Sequence, residues 1–180
     1  VKGPNVMLGY LNNDQATAIA ADPAIRESVL ADLDGMGLVG LALVPGGLRH
    51  PFAYGDEPML GASDYEGQAL NVRRDAGVAS ILEGLGAHPN YAVGSERTAL
   101  VENGTLRAIE VSVQQYGAVN LPAVQTANVT LYAKFDIVLI GKAAWDGLST
   151  GQQQTLDDSV AKAVEEASAA RPDGADGQAE

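Results

Sequence analysis

The clearest alternation of apolar and polar positions lies between Asp64 and Pro89. Residues 69–72 read as a short strand, and Arg73 follows it directly. Val78, Ile81, Leu82 and Leu85 then recur at three- and four-residue spacing, which predicts a helix over 77–85. Gly86 stops it. Upstream, Asp22-Pro23 predicts a helix start, an N-cap followed by proline at the first helical position. Ile25, Val29, Leu30 and Leu33 form the apolar stripe of that helix. Residues 38–44 are a continuous apolar run, as expected of a strand buried on both faces. Pro45-Gly46-Gly47 is expected to break the strand, and residues 51–63 read as loop. Residues 1–13 give no helical pattern.

Further along, a short strand is expected over 90–93, and Ser95 is expected to cap a helix ending at Asn103-Gly104. Residues 108–111 read as strand and 112–116 as a helical turn. Residues 128–132 and 135–140 are two adjacent β-rich runs, and 142–148 is a short helix. Ser149-x-x-Gln152 is a capping box that opens a long helix to about residue 170. The polar tail 171–180 is expected to be disordered. Strands alternating with helices imply an α/β class. Their irregular spacing suits two lobes sharing crossing strands better than one regular sheet.

Composition narrows the function classes. The 180-residue chain carries 11 Lys and Arg against 23 Asp and Glu, a net charge of −12. That balance excludes a nucleic-acid surface, which needs a basic face, and it opposes anionic membranes. It leaves room for small anions, because one or two arginines in a cleft act against a negative background. Hydrophobic content of 46% permits a sizeable core. With no cysteine there is no disulfide, thiolate nucleophile or Cys-based metal site. No apolar run approaches membrane-spanning length, and no signal peptide is visible in this chain.

No catalytic set emerges: there is no Gly-x-Ser-x-Gly, phosphate loop, His-Glu-x-x-His, or GxGxxG after a strand. His50 and His88 lack a third ligand at metal spacing, so neither a metal nor a cofactor is expected. The best candidate is Arg73, because open α/β sheets bind ligands beyond the carboxyl ends of their strands. A guanidinium presents a planar fork that matches a carboxylate. The plain alternative is a surface arginine paired with Asp75 or Glu66, and Arg74 is the candidate if the register slips by one. Arg49, just after Pro45-Gly46-Gly47, is either a second ligand contact or a loop arginine. Trp145 reads as helix packing.

Several segments occur in an order that resembles one family. They are DPAIRESVLADLDGMGLVGLALVPGGLRH, DYEGQALNVR, ILEGLGAHP, SERTALVENGTLRAIEVS and FDIVLIGKAAWDGLSTGQQQTL. Together they resemble the periplasmic solute-binding subunits of TRAP (tripartite ATP-independent) transporters over some 155 residues. The resemblance implies a two-lobed periplasmic-binding-protein-like fold with an incomplete first lobe, since about 100 N-terminal residues and a C-terminal segment of the family are missing. Residues 1–44 and 129–170 would belong to lobe one and 45–128 to lobe two. It implies a non-enzymatic, extracytoplasmic protein that closes on a small organic acid and hands it to membrane transporter subunits. The hinge would lie near 44–46 and 126–132.

The resemblance also implies that Arg73 holds the ligand carboxylate, with Arg49 reaching into the cleft and Glu110 at the cleft or hinge, the plain alternative for Glu110 being an edge-strand carboxylate; Gln114, Tyr116 and Asn128 are candidates to hydrogen-bond a ligand near the hinge. Two positions depart from the family pattern: Arg107-Ala108 replaces Asp-Gly, and Val111 stands where a polar contact is usual. VKGPNVMLGYLNNDQATA separately resembles a stretch of adenylate-forming acyl-CoA synthetases over about 18 residues. The alternatives are therefore a ligase fragment or a truncated domain that binds nothing.

Overall fold

The computed structural model describes residues 12–119, 121–126 and 129–169. The expected tail 171–180, candidate Asn128 and most of the ligase-like stretch lie outside the described residues. The described chain is mixed α/β and forms two compact units, residues 12–46 with 133–169, and residues 47–132.

In the first unit, α1 (Asn13–Ala21) is capped by Asn12, whose Oδ1 accepts from Gln15 N at 2.9 Å. Its alanine-rich sequence carries little amphipathic pattern, so the helix was not expected. α2 (Pro23–Leu30) begins as predicted, with Asp22 Oδ1 accepting from Ala24 N and Ile25 N at 2.8 and 3.1 Å. It tightens into a 3-10 turn over Ala31–Met36 and stops at Gly37, φ 72°. β1 (Leu38–Tyr54) follows. β6 (Tyr132–Gly141) pairs with β1, then α6 (Lys142–Asp146) leads to α7 (Thr150–Ala169). The predicted capping box is present: Gln152 Oε1 accepts from Ser149 N at 2.9 Å, and Gln152 N donates to Ser149 Oγ at 3.3 Å. Packing here is thin. Neither α2, α6 nor α7 carries a buried residue, and an open hollow of about 670 Å³ remains between α1, β1 and α7.

The second unit holds both apolar clusters. One centres on Met59, Tyr65, Leu70, Leu82 and Leu131, the other on Phe52, Leu106, Ile109 and Val119. Its strands are ordered β3 (His88–Asn90), β2 (Ala69–Asn71), β4 (Leu106–Val111), β1 and β5 (Ala123–Gln125). β2 runs parallel to β3 and to β4. β1 runs antiparallel to β4, with His50 opposite Val111, and to β5. α3 (Ala76–Gly84) and α4 (Gly94–Glu102) connect the parallel strands.

Five expectations are corrected. Pro45-Gly46-Gly47 does not end β1, and residues 51–54 are strand rather than loop, because pairing with β4 and β5 carries the chain onward. Gly47 supports this with φ 93°, a conformation side chains disfavour. β3 lies at 88–90 rather than 90–93, its register set by parallel pairing with β2. Ser95 does not cap α4; the N-cap is Val93 and makes no side-chain bond. Of the β-rich run expected over 128–132, the described residues 129–131 are not strand, and β6 begins at Tyr132.

Candidate functional site

The parallel strands β2, β3 and β4 end at one edge of the sheet, and the antiparallel β1 enters the unit at that same edge. This topology gathers Arg73 after β2, Glu110 near the end of β4 and Arg49 near the start of β1's second half. They come from distant parts of the sequence, so no local spacing announces the cluster.

Arg73 sits in the tight β2–α3 turn. Asp75 N donates to Arg73 O at 2.9 Å, and the Asp75 carboxylate caps α3 by accepting from Val78 N at 3.0 Å. Asp75 is thus committed to the helix, while Glu66 packs against Gly86. The Arg73 side chain is exposed and makes no ion pair or hydrogen bond among the described residues. Its neighbour Arg74 lies over the Tyr91 ring, 5.4 Å from the centroid.

Arg49 is 6% exposed and Glu110 2%. Arg49 Nε donates to Glu110 Oε1, Nη2 donates to the Glu110 main-chain oxygen at 3.1 Å, and Nη1 donates to Gln115 Oε1. Tyr132 Oη donates to the same Glu110 Oε1 at 2.7 Å. Glu110 Oε2 is inaccessible and has no partner among the described residues. Burial, followed by the adjacent Glu110 charge and hydrogen bond, pushes the Tyr132 hydroxyl well above its ordinary pKa. The charges of Arg49 and Arg73 act in the opposite direction, which places Arg73 within electrostatic reach of this cluster.

The remaining candidates divide. Gln114 is exposed, and a Cβ built on Gly47 would meet its Oε1 at 3.3 Å, so it lies over that glycine rather than on Arg49. The side chain on Arg49 is that of the next residue, Gln115, on α5 (Val113–Tyr116), which Ser112 caps. Tyr116 Oη donates to Leu121 O at 2.7 Å, and its ring stacks on Phe52. His50 is fully buried, with Nδ1 2.9 Å from Val129 O. Half-buried Trp145 lies on α6. Tyr132 and Gln115 were missed from the sequence; only their non-local partners reveal them. Among the described residues, no group of three His, Asp or Glu side chains could hold a metal, and no helix is long and apolar enough to cross a membrane.

No family model matches the chain, and no curated protein matches it by sequence. Solved structures do match in fold. A TRAP periplasmic solute-binding protein from Marinobacter aquaeolei, in an apo open structure, aligns with TM-score 0.76 at 19% identity, covering 88% of this chain and 52% of that one. One from Anaerococcus prevotii with bound α/β-D-glucuronate gives 0.74 at 16% identity, covering 88% and 52%. One from Ochrobactrum anthropi, its C-terminus bound in the ligand-binding pocket, gives 0.72 at 20% identity, covering 88% and 49%. The chain therefore has the fold of these solute-binding proteins and spans about half their length.

Proposed function

We propose that this chain is the ligand-holding part of an extracytoplasmic solute-binding protein of TRAP type. It captures a small organic acid for membrane transporter subunits and does not transform it. The observation that carries the reading is Arg73: an exposed guanidinium with no protein partner among the described residues, at the carboxyl edge of the sheet, beside the Arg49–Glu110–Tyr132 cluster. In the proposed site Arg73 meets the ligand carboxylate, and Arg49, held by Glu110, contributes a second positive group. Gln114 and Asn128 are further proposed ligand contacts, Asn128 lying outside the described residues. The glucuronate bound to the Anaerococcus neighbour is an acid of the proposed class. Hinge closure near residues 44–46 and 126–132 would bury the acid, and the transporter would read that closed state.

A second reading is supported by the thin packing of the first unit: the 180-residue chain folds its second unit but does not close on a ligand. Thermal unfolding with D-glucuronate, succinate and other small acids separates the two. A ligand at 100 times its Kd stabilises the folded state by about 2.7 kcal/mol. The transport reading expects such a shift in the wild type and none in Arg73→Ala. No shift with any acid supports the second reading and removes the first.

A further inference from the structure

Arg49 is buried, and one of its donors is covered by a neutral, exposed side chain. Its bonds to Glu110, through Nε and Nη2, point inward and are buried. Its third donor, Nη1, bonds Gln115 Oε1 in a partly buried contact, and Gln115 is itself exposed. The backbone of α5 is held independently, since Gln115 N and Tyr116 N donate to Ser112 O at 3.0 and 2.9 Å. Arg49 is the only hydrogen-bond partner of the Gln115 side chain among the described residues. The carboxamide can therefore swing to solvent without unwinding the helix.

A carboxamide oxygen and a carboxylate oxygen offer a guanidinium similar lone pairs, but the carboxylate bond is charge-assisted and roughly twice as strong. We infer that Gln115 is a placeholder: its carboxamide occupies the position on Arg49 Nη1 that the carboxylate of an incoming organic acid takes, and binding expels it. The inference rests on the organic-acid reading above. The charge pattern agrees with it. Glu110 already balances Arg49 inside the buried pair, and Arg73 leaves one positive charge without an ion-pair partner among the described residues. A neutral placeholder keeps the Nη1 donor satisfied in the empty site without using that charge. A newly arriving carboxylate supplies both the acceptor and the missing negative charge.

Calorimetric titration of D-glucuronate and succinate into the wild type, Gln115→Ala and Gln115→Glu tests this. Removing the competing neutral bond is expected to tighten binding by about two- to tenfold. Gln115→Glu tethers a carboxylate to Arg49 and is expected to weaken binding by more than about tenfold. Unfolding temperatures are measured alongside: Gln115→Ala, which leaves Arg49 Nη1 without its protein acceptor, is expected to fold with a slightly lowered temperature, and Gln115→Glu to match or exceed the wild type. If Gln115→Ala binds as the wild type does, or more weakly, the placeholder is wrong. If no form of the chain, wild type included, binds either acid, the organic-acid reading fails and the placeholder falls with it.

Discussion

Replacing Arg49 with methionine probes the energetics of the site without any ligand. The Glu110 side chain is 0% exposed and that of Arg49 8%. Arg49→Met removes the partner that faces Glu110 Oε1 and leaves the carboxylate with Tyr132 Oη alone, Oε2 being already without a partner. Removing one member of a buried pair costs about 3–5 kcal/mol. Replacing both members with apolar residues recovers most of that, since the desolvated charge is gone. Arg49→Met with Glu110→Leu should still be destabilised by about 1–3 kcal/mol, because buried Tyr132 Oη then lacks its acceptor. Adding Tyr132→Phe should remove that residue of the cost. Urea unfolding followed by tyrosine near-UV circular dichroism is suited to the measurement. Tyr54, Tyr65, Tyr91, Tyr116 and Tyr132 all lie in the second unit, whereas Trp145 reports the first. A loss under about 1 kcal/mol for Arg49→Met, or a double variant as unstable as the sum of the singles, would refute the reasoning.

Other consequences follow from the packing. Burial raises Tyr54 and Tyr65 to about 12 from 10.0, so their protonated forms favour the folded state. That stability is complete below about pH 10 and is lost as pH rises towards 12, so alkaline unfolding monitored by tyrosinate absorbance should fall in this window and move upward in Tyr54→Phe/Tyr65→Phe. Leu82, 0% exposed at the centre of one apolar cluster, should cost about 2–5 kcal/mol as Leu82→Ala in chemical denaturation. Gly47→Ala forces a side chain into φ 93° with its Cβ 3.1 Å from Ser112 Cβ, a loss of about 1–3 kcal/mol readable in the melting temperature. An unchanged melting temperature would mean that β1 relaxes at this point.

The sequence made legible what local chemistry decides. Asp22-Pro23 and Ser149-x-x-Gln152 mark helix starts because their side chains bond backbone groups only two or three residues away. Arg73 was legible because a strand, an arginine and a helix are consecutive. What failed was set at a distance. β1 continues beyond Pro45-Gly46-Gly47 to Tyr54, where β4 and β5, distant in sequence, pair with residues 50–54. β3 takes its position from parallel pairing with β2, although His88-Pro89-Asn90 has little intrinsic strand preference. α1 was missed because alanine-rich helices carry little periodic signal. In the site, Glu110 was legible as a candidate, but the roles of Tyr132 and Gln115 depend on contacts 22 and 66 residues apart in sequence. No spacing rule distinguishes Gln114 from Gln115; the contact with Arg49, distant in sequence, does.

The central claim is that Arg73 binds the carboxylate of a small organic acid. Calorimetry of the 180-residue chain with D-glucuronate, comparing the wild type with Arg73→Ala and Arg73→Lys, tests it directly. Measurable binding to the wild type is expected, with a loss of about 2–5 kcal/mol in Arg73→Ala. Partial retention is expected in Arg73→Lys, which keeps the charge but not the fork. Equal affinity across the three proteins would contradict that claim.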